Sequence, residues 1–92
     1  MYNIFMSRRV SRAVSAMPQK QQEKLALLVD DIRLNGPVRT NWPNYGILAG
    51  TSIHHCHLSH KWVACWVETE KGITVEVTYA GSRGSAPYAE HR

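Results

Sequence analysis

The chain has 92 residues, 43% of them hydrophobic and 20% charged, which fits a single domain spanning residues 1–92 and excludes a disordered chain. Eleven Lys and Arg against seven Asp and Glu give a net charge of +4, and five histidines add positive charge as pH falls, so anionic partners are favoured. No apolar run is long enough to cross a membrane, no apolar stretch follows Arg8, Arg9 and Arg12 as in a signal peptide, and Cys56 and Cys65 form no CxxC pair; a cytoplasmic protein with reduced core thiols is expected.

Tyr2 to Ser7 is apolar and β-prone, which predicts an opening strand. Val10, Ala13, Val14 and Met17 then recur at the spacing that lines one face of a helix. Pro18 is tolerated only at a helix start, so a break near Met17 and a second helix are expected. That helix carries Leu25, Leu28, Val29 and Ile32 toward the core, turns Gln21, Gln22, Glu23, Lys24 and Asp31 to water, and stops at Asn35-Gly36-Pro37. Val38 to Gly46 reads as a loop pinned to the core by Trp42 and Tyr45, whose alternative use is to stack on bases.

After Gly50 the apolar period changes from 3.6 to 2. Ile53–His60, Lys61–Glu68 and Gly72–Ala80 read as three strands of an antiparallel meander. Trp62 to Val67 is apolar on both faces and belongs in the sheet centre; Ile73, Val75, Val77 and Tyr79 alternate with Thr74, Glu76 and Thr78, giving one core face and one wet face. The order β-α-α-β-β-β predicts an α+β fold, an antiparallel sheet with an αα-hairpin packed on one face and the other face partly open.

Four histidines fall at His54, His55, His57 and His60. Strand alternation sets His54 and His60 on the face of Cys56 and Leu58, the natural core pair, and sends His55 and His57 to the open face. Imidazoles titrate near neutrality and can exchange protons, as RNA cleavage through its own 2′-hydroxyl requires; surface or half-buried structural histidines are the bland alternative. A zinc site is disfavoured, because two ligands on one strand and a cysteine on the opposite face make poor tetrahedral geometry, and no cofactor or metal is expected. Gly81 and Gly84 permit a bend that places Arg83 at the sheet edge, where a guanidinium can hold a phosphate, and lets Tyr88 return toward the same face.

The element order, the Asn41-Trp42-Pro43-Asn44-Tyr45 loop, the His55-Cys56-His57-Leu58 and Trp62-Val63-Ala64-Cys65-Trp66 strands, and the tail from Gly81-Ser82-Arg83 to Ala86-Pro87-Tyr88 together resemble the RelE branch of the RelE/ParE toxin superfamily. The resemblance implies a type II toxin that enters the ribosomal A site and cuts mRNA without a metal, and whose partners are the ribosome, mRNA and a cognate antitoxin. It implies Arg83 as the group that stabilises transition-state charge and Tyr88 as the residue that orients or activates the 2′-hydroxyl. His55 and His57 fall where some members carry paired lysines and would serve as base, acid or phosphate ligands; Lys61 is a further phosphate contact. The chain departs from the pattern at Ile47-Leu48-Ala49-Gly50, where relatives tend to be basic, and at Trp62, where a strand arginine commonly contacts phosphate. A ParE-like gyrase inhibitor and an inactive toxin that retains only antitoxin binding are the competing readings.

Overall fold

The computed structural model describes residues 1–87. Strand β1 (Asn3–Met6) leads into helix α1 (Arg8–Ser15), and helix α2 (Gln19–Asn35) follows. Ser7 caps α1 by accepting the Val10 N–H at 3.2 Å. Pro18 stands at the N-cap of α2, and Gly36, in the left-handed half of backbone space at φ 94°, closes the helix with its N–H on the Ile32 carbonyl. The expected break between the helices is therefore observed at the residues that dictate it.

Four more strands complete the sheet: β2 (Gly46–Ile47), β3 (His54–Ser59), β4 (Trp62–Glu70) and β5 (Thr74–Ser82), in the spatial order β1-β5-β4-β3-β2. The meander β3-β4-β5 is antiparallel as expected, and β4 is central, with Val63, Ala64, Cys65 and Trp66 all buried. The fold class stands, with two refinements. β1 pairs parallel to β5, Ile4 opposite Val75 and Met6 opposite Val77, so the sheet is mixed. The loop before the meander also contributes a two-residue strand, β2, on the far edge.

The helices cover one sheet face. Val10, Met17, Leu25, Leu28 and Ile32 pack with Cys56, Leu58, Ala64, Trp66, Val75, Val77 and Ala80 in one core. Trp66 is wholly buried, and its indole N–H donates to the Pro37 carbonyl at 2.9 Å, which holds the chain leaving α2 against the sheet.

Three expectations are corrected. Gln21 is buried rather than solvated. Asp31 turns toward the loop after α2, where its carboxylate accepts from the Trp42 indole at 2.9 Å, Arg39 at 2.9 Å, Asn35 at 2.8 Å and Asn41 at 3.2 Å. In β5 the simple alternation fails: Cys65 pairs with Tyr79 but Trp66 with Val77, a one-residue slip that leaves Thr78 extra. Val75, Val77 and Ala80 face the core, Tyr79 turns to the opposite face, and Ile73 lies exposed before the strand.

Candidate active site

Strand β3 separates its histidines as alternation requires. His54 is only 7% exposed on the helix side, its ring stacked on Trp66 at 5.8 Å between centroids and its Nδ1 2.8 Å from the Tyr45 hydroxyl. Burial holds its pKa below the usual value, and the negative charge of Glu68 opposes that effect only in part. His54 is thus a packed structural histidine. Trp42 and Tyr45, the two loop aromatics, likewise serve the core.

His55 and His57 lie on the opposite face, half-buried, in rows that run across the sheet: His55 beside Cys65 and Tyr79, His57 beside Val63 and Gly81. The His55 ring packs on Gly46, where a Cβ would stand 3.3 Å from Nε2. Burial, then the charge of His57, lowers its pKa. The His57 backbone N–H donates to the Pro43 carbonyl at 2.8 Å, and the Asn44 side-chain nitrogen lies 3.4 Å from each ring nitrogen of His57. Burial, then the positive charges of Arg83 and His60, keep this imidazole below its ordinary pKa. Both outward histidines are therefore biased to the neutral, proton-accepting form, and protonating either one disfavours protonating the other.

Arg83 opens a single 3-10 turn (Arg83–Ser85) as β5 ends. Its backbone N–H donates to the Lys61 carbonyl at 2.7 Å, so the strand terminus is tied to the β3–β4 hairpin turn. Arg83 and Lys61 are exposed, as is His60, which lies in that turn rather than on the core face. The structure thus sets His57 close enough to Arg83 to feel its charge, places His55 one row further along the same face, and ties Lys61 to Arg83 through the backbone at the hairpin-turn end. Tyr88 lies outside the described residues.

Two neighbours of this cluster were not singled out from the sequence. Tyr79 reaches the face because of the slip at Thr78; its ring leans over Gly81, where a Cβ would fall 2.9 Å from the hydroxyl, and that hydroxyl donates to the Ser82 carbonyl at 2.7 Å. Asn44 arrives through the turn before β2. Gly81, two residues after Tyr79, was a readable signal for close approach, but the slip was not. Among the described residues no group of three His, Cys, Asp or Glu side chains is placed to hold a metal ion.

No protein-family model and no curated protein matches this sequence. Its fold does match solved structures. A chain of the archaeal RelE–RelB complex from Pyrococcus horikoshii OT3 superposes with a TM-score of 0.74 at 16% identity, over 92% of this chain and 98% of that one. YoeB from the Staphylococcus aureus dimer gives 0.71 at 14% identity, over 87% and 94%. The chain has a RelE-like fold. A conserved hypothetical protein from Helicobacter pylori shares it with a TM-score of 0.60 at 15% identity, over 91% and 97%. The RelE-type fold here spans nearly the full length of each neighbour, and none of the described helices is long and apolar enough to cross a membrane.

Proposed function

We propose that this chain is the toxin of a toxin-antitoxin pair and cleaves mRNA on the ribosome as a metal-independent endoribonuclease. The observation that supports the reading is a pair of imidazoles, His55 and His57, on the sheet face opposite the helices, with Arg83 near enough to act on His57 and Lys61 bonded through its backbone to Arg83. The RelE and YoeB neighbours are found with antitoxin partners, RelB and YefM, which supports a cognate antitoxin here.

The chemistry follows from the side chains. A neutral imidazole, His55 or His57, takes the proton of a ribose 2′-hydroxyl as that oxygen attacks the adjacent phosphorus. Arg83 holds the negative charge that grows on the non-bridging oxygens, and Lys61 contacts a neighbouring phosphate. A protonated group returns a proton to the departing 5′-oxygen, so the proton count is unchanged and the products are a 2′,3′-cyclic phosphate and a 5′-hydroxyl. Tyr88, by the resemblance, orients the 2′-hydroxyl. The net charge of +4 favours an approach to RNA and makes it salt-dependent.

The test is a cell-free translation reaction with purified protein, in which 5′ ends on the message are mapped over time. Arg83→Ala removes a charge-stabilising contact worth about 3 kcal/mol, so cleavage is expected to slow about a hundredfold while the protein stays folded. Intact message beside altered DNA supercoiling would assign the chain to gyrase inhibition. Intact message with unchanged supercoiling and tight antitoxin binding would leave only the binding role.

A further inference from the structure

The turn ahead of β2 grips β3 at three points. The Tyr45 N–H meets the Trp42 carbonyl at 3.2 Å, with Pro43 and Asn44 in the central positions. Asn44 has φ 55°, and among the described residues it is the only non-glycine with a positive φ, a conformation that asparagine tolerates better than most side chains. From this turn the Pro43 carbonyl takes the His57 backbone N–H, the Tyr45 hydroxyl meets His54 on one sheet face, and the Asn44 amide meets the His57 ring on the other. The turn is itself held from behind, since the Trp42 indole is bonded to Asp31 on α2.

The distances define how the amide sits. A nitrogen 3.4 Å from both Nδ1 and Nε2 cannot lie in the ring plane, because the Cε1–H between them occupies that path. It lies out of that plane, over one side of the imidazole, where its N–H can be offered to the ring's electrons. Such a donor is favourable over a neutral imidazole and unfavourable over a cation.

We propose that Asn44 is a positioning residue for His57: its amide, carried on a left-handed turn anchored through Trp42 to Asp31, fixes the ring's orientation and favours its proton-accepting form. This rests on the reading of the face as an RNA-cleaving site, in which His57 handles a proton. The other charged or titratable groups acting on the ring are His55 on the same strand, His60 in the hairpin turn and Arg83 at the end of β5. All three are cationic when protonated, so they and the Asn44 donor work in the same direction.

The experiment is an NMR titration of the His57 ring in the full chain, with its resonance assigned by its loss in His57→Gln, for wild type, Asn44→Asp and Asn44→Gly. Both variants accept a positive φ, so the turn is retained. Asn44→Asp puts a carboxylate where the donor stood and is expected to raise the His57 pKa by about one unit, with Asn44→Gly raising it less. The limb of the cleavage pH profile that His57 governs should move by the same amount. A His57 pKa within about 0.2 units of wild type in both variants would overturn the proposal, whatever the cleavage activity. A shifted His57 in a protein that cuts no RNA would uphold the Asn44–His57 coupling and overturn the assigned reaction.

Discussion

Replacing Asp31 by Asn tests whether one carboxylate locks the loop that carries the site. The change keeps the side-chain shape, so no cavity forms, but it removes the charge and turns an N–H₂ group toward donors that need an acceptor. Trp42 Nε1 and Arg39 Nη1 both approach at 2.9 Å in a setting where the Asp31 side chain is only 21% exposed. Charge-assisted bonds of this kind contribute roughly 1.5 kcal/mol each, so the loss should come to about 3 kcal/mol, the exposed Asn35 and Asn41 bonds adding little. For a domain of this size that is a fall in Tm of about 12–24 °C, measurable by tryptophan fluorescence during thermal or urea unfolding. Burial raises the Asp31 pKa, but the bonds from Trp42, Asn35, Asn41 and Arg39 outweigh it and hold the carboxyl well below its ordinary 3.8. A depressed folded pKa means the stabilisation is complete above the unfolded value and disappears as pH falls from there through the folded value. The gap between wild type and Asp31→Asn should therefore be constant near pH 7 and close below about pH 4. A loss smaller than about 0.5 kcal/mol at pH 7, or a gap that does not change with pH, would refute the lock.

Acid should weaken the fold well before carboxylates titrate. His54, His55 and His57 all have folded pKa values below the ordinary 6.5, so the unfolded chain binds more protons in that range, and stability should fall as pH drops from about 6.5 through the folded values and stay level above. Urea midpoints at pH 7.5 and pH 5.5 report this, and an unchanged or higher midpoint at pH 5.5 would contradict it. Cys56 and Cys65 are buried, and burial pushes both thiols up to about 12. Neither should react with a thiol reagent in native protein at pH 7.5 faster than the chain unfolds, and rapid labelling of either would show that its strand opens.

The facing of the candidate histidines was legible because they sit on a regular strand. Alternation along β3 is enough to separate inward Cys56 and Leu58 from outward His55 and His57, since a strand surrounded by partners keeps period 2. The two-sided apolar run of β4 marks the sheet centre for the same reason. What was hidden depends on partners distant in the chain. Tyr79 changes face because β5 holds an extra residue, Thr78, opposite the Cys65–Trp66 step of β4, and no local pattern in β5 encodes that bulge. Asp31 reads as a solvated helix residue until residues 35–42 fold back upon it. Asn44 reads as turn chemistry, which it is, but the histidine beneath its amide is thirteen positions away.

The parallel pairing of β1 with β5 bears on when this protein becomes whole during its own synthesis. The partner of β1 is made only after both helices and the three strands β2, β3 and β4. Until Thr74 to Val77 leave the ribosome, Ile4 and Met6 have no sheet to join, and the nascent chain carries an unpaired strand beside an unfinished core. Arg83 follows that same strand and needs β5 in place to meet Lys61. Assembly of the candidate site and closure of the sheet are thus one late event, and a nascent chain stalled before β5 would lack the arginine as well as the fold.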